Sequence, residues 1–337
     1  MIKRRIYKKI MEGVHLKKLI IVLLCIPLLF LAACSSEKEN AKTTKKNFDM
    51  QPESVKINSD SELLIVPLYT QYQKYLEASL ATDDMEQKKE NYKKFVLDYI
   101  EEIGKKENLE TADLKGNFLL SSTAYEKELL NRIDGLVQRH DEVKETVTKN
   151  YIAANKVLPK KKSTIFLIPV NSEFLPVAES MGGVSGAAYK NTYALYLDEN
   201  FDKKVLAYTT AHEYHHLILY DKPDFKISSI LKSVITEGKA DAFADRVVKD
   251  VSPPWNEPMD EKTKKHVASL VNDYQTTFND FVIGNEQKDI PRWSNYILGR
   301  DILNHYLKSH PNVPIAEWTS KEDNEILDGY KYQELLQ

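Results

Sequence analysis

Residues 205–220 read VLAYTTAHEYHHLILY, an apolar stretch interrupted by HEYHH at residues 212–216. The pentapeptide matches the pattern H-E-x-x-H. On a helix, His212 and His216 lie on one face about one turn apart, so that both imidazoles can reach a single tetrahedral zinc ion. Glu213 is offset from them and can contact the reacting water as a general base. The stretch therefore predicts a zinc-binding helix.

The sequence around this helix predicts an α+β fold. Three β-type runs precede it, at residues 164–168, 182–189 and 192–197, and turn residues separate them. Asp202 is a suitable N-cap for the helix, and the chain beyond it is mostly helical to its end. Strands followed by helices indicate a mostly helical lobe with a small sheet over residues 159–337.

A third zinc ligand is predicted on the next helical stretch, residues 228–241. The metzincin extension of the motif would need glycine at position 219 and histidine at position 222. The sequence has Leu219 and Lys222 there, so the third ligand is not the metzincin histidine. Glu237 and Asp241 fall on the apolar stripe, where carboxylates are unfavourable unless they are paired or bind a metal. We predict Glu237 as the third ligand and Asp241 as the acceptor for the free N–H of a ligand histidine. An interior ion pair is the alternative for Glu237.

The oxyanion of a zinc-catalysed hydrolysis also needs a hydrogen-bond donor. Tyr296 is the candidate, and a tyrosine of the hydrophobic core is the alternative interpretation. His305 and His310 are weaker candidates for the same role. The spacing of these residues does not decide between them.

Three further residues near the motif are predicted to lie outside the set of zinc ligands. His215 is predicted to pack or to form a hydrogen bond rather than to bind metal, because it points about 100° away from its neighbour on the helix. Gly238 would allow close approach of the backbone, which explains a glycine inside a helix. Asp245 is predicted to lie on the surface.

The motifs together resemble two known groups. HExxH at residues 212–216 followed by ExxxD at residues 237–241 resembles the gluzincin pattern of thermolysin-like peptidases, which use a His-His-Glu zinc site. HEYHH followed by EGxAD resembles more closely the domain of unknown function family 2268, predicted zinc-dependent proteases. The similarity spans about residues 160–335 and includes the glycines of residues 183–186. Near the family's G-Y-x-x-G, Asn295 replaces the first glycine.

The resemblance implies an edge strand beside the zinc helix that holds an extended peptide by β-augmentation. Residues 184–189 are one candidate, with Val184 and Gly186 as substrate-binding residues, and residues 193–197 are the other. An ordinary hairpin is the alternative. The expected function is zinc-dependent hydrolysis of a peptide or protein substrate. A catalytically silent zinc-binding lipoprotein and a zinc amidase acting on cell-wall material remain open.

The N-terminus resembles a bacterial lipoprotein signal. A basic region precedes a run of about 15 apolar residues, whereas a membrane-spanning helix needs about 20. The run ends in Leu-Ala-Ala before Cys34, which resembles a lipobox with Cys34 as the lipidated residue. We predict a signal over residues 1–33, a disordered polar tether over 34–60 and a helical region over 61–158. The protein would be extracytoplasmic and lipid-anchored to the cell membrane, and a short signal anchor is the alternative.

Composition narrows the function classes. The chain has 337 residues, of which 42% are hydrophobic and 29% charged, a balance typical of globular proteins. Its net charge is −3, and because the first 33 residues carry +6, the remainder carries −9. No nucleic-acid partner is expected for so acidic a body, since such partners require clustered cations. The two cysteines, Cys25 and Cys34, exclude a disulfide framework, and the oligomeric state stays open.

Overall fold

A mixed five-stranded sheet forms the centre of the fold in the computed structural model, which describes residues 48–337. The strand order is β1-β2-β3-β5-β4. β2, β3 and β5 run parallel, and the outer strands β1 and β4 each pair antiparallel with a neighbour. The strands are β1 Glu53–Lys56, β2 Glu62–Pro67, β3 Lys162–Pro169, β4 Val184–Tyr189 and β5 Thr192–Leu197.

The three inner strands are nearly continuous runs of buried residues. Every residue of β5 is buried, as is all of β3 after Lys162 and all of β2 after Glu62. Parallel strands that are covered on both faces read in this way. The three strands predicted from the sequence are present as β3, β4 and β5, and the predicted α+β class with a small sheet is confirmed.

The other two strands differ from the sequence interpretation. β2 lies at the start of the region predicted to be mainly helical, where Pro67 ends a four-residue apolar run. β1 lies inside residues 34–60, the segment predicted as a disordered tether, and pairs with β2 from Glu53 to Lys56. A short apolar run does not by itself distinguish a buried strand from a helix.

The chain between β2 and β3 is mostly helical. Its helices lie in the region of residues 61–158 that was predicted to be helical. A π-helical turn interrupts the helical stretch of residues 85–107, and Arg139 interrupts the stretch of residues 126–157. The elements are α1 Tyr69–Leu80, α2 Met85–Tyr92, the π turn Lys93–Leu97, α3 Asp98–Glu107, α4 Ala112–Gly116, α5 Glu126–Gln138 and α6 His140–Val157.

Most of the remaining helices follow β5. Two single 3₁₀ turns, Ser172–Phe174 and Glu286–Lys288, accompany them. The helices are α7 Leu175–Ser180, α8 Lys203–Tyr220, α9 Ile230–Val247, α10 Glu261–Ser269, α11 Phe278–Ile283, α12 Ser294–Ser309, α13 Ile315–Ser320, α14 Asp323–Leu327 and α15 Gln333–Leu336.

Helix α8, which carries the HExxH motif, is buried on nearly every side. Asp202 caps it by accepting from the backbone N–H of Lys204 at 2.7 Å and of Val205 at 3.3 Å. The helix packs against α6, α9 and the edge strand β4. Because both faces are covered, its sequence is apolar between the polar residues of the motif. This placement holds the motif rigidly beside the edge of the sheet.

The predicted lipoprotein signal and Cys34 lie outside the described residues. Within residues 48–337, no helix combines the length and apolar character that crossing a bilayer requires.

Candidate metal centre

Three side chains converge where α8 faces α9. One potential ligand atom each from His212, His216 and Glu237 lies within 4.8 Å of the other two, and all three residues are buried. The Nε2 atom of His212 is 3.0 Å from Nε2 of His216 and 3.1 Å from Oε2 of Glu237. The structure thus brings together the three residues that the sequence predicted as zinc ligands.

The geometry of these side chains is compatible with a cation among their ligand atoms. Nδ1 of His212 lies 2.9 Å from Oδ1 of Asp241, and a carboxylate can only accept there, so that this nitrogen carries the proton. When His212 is in its neutral form, Nε2 keeps a lone pair, which is directed towards His216 and Glu237. Acceptors that meet without a donor repel one another unless a positive charge lies between them. Two imidazoles and one carboxylate are a donor set that suits zinc with one coordination position left open.

The pKa values of His212 and Glu237 reflect the attraction between the imidazoles and the carboxylates around them. Burial opposes charging of His212, but hydrogen bonds with Asp241 and Glu237 outweigh burial and raise its pKa to about 10. Burial also disfavours the anion of Glu237, yet the neighbouring histidines outweigh it and hold the pKa of this carboxyl at about 2. The carboxylate is therefore ionised and available as a ligand.

Asp241 lies at the centre of a hydrogen-bond network behind the ligands. Its Oδ1 accepts from His212, from the Tyr208 hydroxyl at 3.2 Å and from Trp255 Nε1 at 3.3 Å. Its Oδ2 accepts no hydrogen bond from the described residues, and Arg300 Nη1 lies 3.8 Å away. The position one turn after Glu237 thus orients His212, as ligand histidines commonly require.

The outer part of this network was not predicted from the sequence. Asp245, predicted to lie on the surface, has a side chain that is 38% exposed, and its Oδ1 accepts from Arg300 Nη2 at 2.9 Å and from the Tyr208 hydroxyl at 3.2 Å. Arg300 Nη1 also donates to the Tyr208 oxygen at 3.1 Å. Tyr208 lies one turn before His212 on α8, so its spacing was visible in the sequence. Arg300 comes from α12, and no local pattern connects it with the motif.

Glu213 lies directly against the edge strand. A Cβ atom on Gly186 of β4 would lie only 2.3 Å from Oε1 of Glu213. The absence of a side chain at this position therefore allows the carboxylate to approach the strand. Burial raises the pKa of Glu213 above its usual value, although the nearby histidines partly offset this effect. A raised pKa makes proton uptake by this carboxylate easier.

β4 is the edge strand, and β5 lies inside the sheet. Of the two candidates for peptide pairing, residues 184–189 therefore have the open edge. The same strand forms a hairpin with β5, so the hairpin interpretation and the edge strand describe one element. Val184 is buried and Gly186 is half-buried.

A contact between two glycines brings α12 to the metal centre. A Cβ on Gly238 of α9 would lie 2.2 Å from the carbonyl oxygen of Gly299, and one on Gly299 would lie 2.1 Å from the carbonyl oxygen of Val234. The two helix backbones are thus in direct contact, one residue beyond Glu237. Tyr296, one turn before Gly299, consequently has its ring centroid 6.0 Å from that of His212.

Tyr296 is neutral in this setting. Burial raises its pKa well above the usual value, and the nearby charges of Glu237 and Glu213 raise it further. Its ring also packs 5.7 Å from that of Trp255. A neutral hydroxyl at this position retains its proton and can donate a hydrogen bond.

The other histidines considered from the sequence lie outside the cluster. His215 points away from it, with Nε2 3.2 Å from Thr319 Oγ1 and its ring stacked on Trp318. The ring of His305 packs 5.7 Å from that of Tyr330. His310 has its Nδ1 3.0 Å from a carbonyl oxygen within its own helical turn. Each is occupied by a local contact.

Comparison with known proteins agrees with this site. A family model described as "Predicted Zn-dependent protease (DUF2268)" matches residues 143–328, more than half of the chain, and these residues include every member of the cluster. Neither the curated proteins nor the solved structures contain a match.

Proposed function

The chain belongs to the DUF2268 family of predicted Zn-dependent proteases, and we propose that it is a zinc peptidase of the gluzincin type. The observation that carries this proposal is the convergence of His212, His216 and Glu237, with Glu213 between the cluster and the edge strand. A buried site needs no general base at this position if it only binds metal. The placement of Glu213 therefore favours hydrolysis over a structural role.

Each residue of the site has a role in peptide hydrolysis. Zinc held by His212, His216 and Glu237 would supply a Lewis acid that polarises the carbonyl and acidifies water. Glu213 accepts the proton of the attacking water and delivers it to the leaving amine, a transfer that its raised pKa assists. Tyr296 donates a hydrogen bond from its hydroxyl to the developing oxyanion.

The substrate would bind as an extended strand along the free edge of β4. Main-chain hydrogen bonds from an edge strand hold a peptide without demanding a particular sequence. Gly186 marks the point where such a peptide passes Glu213, and Val184 lies at the start of the strand. The scissile bond therefore lies opposite Gly186.

We also propose that the protein is lipid-anchored outside the cytoplasm through Cys34. The support is the basic region, the short apolar run and the small residues before Cys34. Replacement Cys34→Ala should release the protein from membranes in cell fractionation. Retention of the variant on membranes would refute the lipid anchor and leave the peptidase proposal untouched.

A matched pair of proteins tests the peptidase. The full chain is purified as wild type and as Glu213→Gln, bound zinc is measured by atomic emission, and both are incubated with an unbiased peptide library. We expect about one zinc per chain in both proteins, and cleavage by the wild type alone. The conservative variant retains the size of the side chain and removes only its basicity.

Two other results would refute peptide hydrolysis. Zinc in both proteins with no peptide cleavage, but release of fragments from cell-wall material by the wild type, would identify a zinc amidase. Zinc in both with neither activity would identify a silent zinc-binding protein. Absence of zinc from the wild type would refute the metal site itself.

A further inference from the structure

A cavity of about 690 Å³ is lined by residues of α7, of α12 and of the segment around the start of α10. Ser180 contributes from the end of α7, Pro254 from the loop before α10, and Ile297 from α12. Pro254 and Ile297 are the sequence neighbours of Trp255 and Tyr296, whose rings contact His212. The cavity is thus lined by two segments that also bring an aromatic ring to His212.

Arg292 is the cation of this cavity, and it has no carboxylate partner. Its guanidinium carbon lies 4.4 Å from the centroid of the Trp293 ring, which also lines the cavity. Among residues 48–337, none forms an ion pair or a side-chain hydrogen bond with Arg292. Trp293 has a φ of 61°, a conformation uncommon for a bulky residue and typical of functional sites. The guanidinium thus packs on the Trp293 ring, and its donors are unpaired among residues 48–337.

Two carboxylates also line the cavity, and neither pairs with Arg292. Asp260 caps α10, accepting from the backbone N–H of Thr263 at 2.9 Å and from its hydroxyl at 2.8 Å. Glu257 is exposed. The planar guanidinium has five donors in a fork that matches a carboxylate, so an incoming carboxylate is the chemistry that would satisfy it.

The direction of β4 determines which part of a substrate reaches Arg292. A peptide paired antiparallel with β4 passes Tyr189 first and Val184 last in its own N-to-C direction. If its scissile bond lies opposite Gly186, the residues after that bond leave β4 at Val184, the end that a turn at residues 181–183 connects to Ser180. Ser180 lines the cavity. The cavity therefore adjoins the C-terminal side of the substrate.

From this geometry we propose that Arg292 binds a carboxylate located on the C-terminal side of the scissile bond, within this cavity. The proposal rests on the proposed peptidase function for the direction of the peptide. The carboxylate can come from an acidic side chain or from a free C-terminus of the substrate. In either case Arg292 determines specificity and takes no part in the bond cleavage.

Binding measurements test this without requiring turnover. Zinc-loaded full-length Glu213→Gln is titrated with three pools of acetylated hexapeptides while tryptophan fluorescence is followed. The first pool has a C-terminal amide and no acidic residue, the second has an amide and one glutamate at varied positions, and the third has a free C-terminal carboxylate. We expect the second or the third pool to bind about tenfold more tightly than the first, and the stronger pool identifies the source.

Substitutions at position 292 test whether Arg292 is the residue that binds the carboxylate. Added to Glu213→Gln, Arg292→Gln should reduce the ratio of anionic to neutral affinity to about one, and Arg292→Lys should retain part of it. Lys265→Gln, which removes an exposed cation of α10 outside the cavity lining, should leave the ratio unchanged. Equal affinity for all three pools would overturn the proposal, as would an anionic preference that survives Arg292→Gln.

The failure of each proposal is recognisable separately. Carboxylate-dependent binding that Arg292→Gln abolishes, with no cleavage by the wild type, would retain the carboxylate site and reject the peptidase. Zinc-dependent cleavage with no preference for either anionic pool would retain the peptidase and reject the role of Arg292.

Discussion

At the scale of single residues, the metal centre depends on which atom of His212 carries a proton. Asp241 accepts the proton of Nδ1 and thereby leaves the lone pair of Nε2 for the metal. Tyr208 and Trp255 also donate to the same carboxylate oxygen. These hydrogen bonds stabilise the anion that orients the histidine.

Asp241→Asn should weaken zinc binding by about 10- to 100-fold, because an amide accepts less strongly and can present its NH₂ group to the imidazole. Zinc affinity is measured by competition with a chromophoric chelator. Asp245→Asn is the matched control, since Asp245 contacts Tyr208 and Arg300 but no ligand histidine. Equal losses in the two variants would show that general electrostatics, and not orientation of His212, sets the affinity.

Gly186 leaves the space that the carboxylate of Glu213 occupies. Gly186→Ala would place a Cβ 2.3 Å from Oε1 and 2.4 Å from Cγ of Glu213, so the flexible carboxylate must move while the backbone remains. We expect peptidase activity to fall at least tenfold with zinc content and melting temperature nearly unchanged, because a displaced base loses its geometry. Assays of activity, bound zinc and thermal unfolding on one preparation check this. Full activity would show that Glu213 does not need contact with β4.

At the scale of elements, the site depends on how closely α9 and α12 cross. Gly238 and Gly299 put the helix backbones in contact, which places Tyr296 beside a ligand histidine. Small residues at a crossing are the usual means of such close approach. The close packing of the two helices thus determines that Tyr296 lies at the site.

Gly299→Ala should destabilise the protein by about 1–3 kcal/mol, since its Cβ would lie 2.1 Å from the backbone oxygen of Val234. The gain in helix propensity, about 1 kcal/mol, does not offset a clash with backbone. Gly116→Ala is the control, because a Cβ there meets no atom within 4 Å. Urea unfolding of both variants measures the difference. A Gly299→Ala protein as stable as the control would contradict the close crossing.

Elements also show what the sequence could and could not reveal. The ligand helix was predictable because a four-residue spacing, a capping aspartate and apolar flanks are all local signals. β2 was not, since four apolar residues before Pro67 fit a strand or a buried helix equally well. The pairing of Arg300 with Asp245 was not predictable, because it depends on a contact between α9 and α12. Local pattern thus predicted the ligands, and tertiary packing decided what surrounds them.

At the scale of the whole molecule, the core contains many buried tyrosines. Several of their hydroxyls are fully buried, among them those of Tyr69, Tyr72, Tyr193 and Tyr196. Burial raises the pKa of each above that of an exposed tyrosine. The neutral forms are thus required for folding, which makes the fold sensitive to alkali.

Stability should fall as pH rises above about 10, where the unfolded chain begins to lose phenolic protons that the folded chain keeps. Each such tyrosine contributes about 1.4 kcal/mol per pH unit to the slope. Tyr69→Phe should reduce the slope of the unfolding free energy against pH by the contribution of one tyrosine. Tyr274→Phe should not change this slope, because Tyr274 is 91% exposed. Urea unfolding between about pH 9 and 11 measures it. Identical slopes in the two variants would contradict the assignment.

The region that carries the HExxH helix α8 is supported by elements from the first half of the chain, and this predicts how the molecule can be divided. β2 pairs in parallel with β3 from Glu62 to Pro67, although β3 opens the region that carries the metal site. The hydroxyl of Tyr214, within the HExxH motif, accepts from Asn155 on α6 at 3.1 Å.

A fragment of residues 159–337 would therefore expose one edge of β3 and the face of α8 that α6 covers. We expect this fragment to aggregate or to lack a cooperative unfolding transition, whereas residues 48–337 should unfold cooperatively and bind zinc. Circular dichroism melts and zinc titration of both fragments give the comparison. A fragment of residues 159–337 that melts cooperatively and binds zinc as tightly as the longer one would show that the metal site needs no support from the first half of the chain.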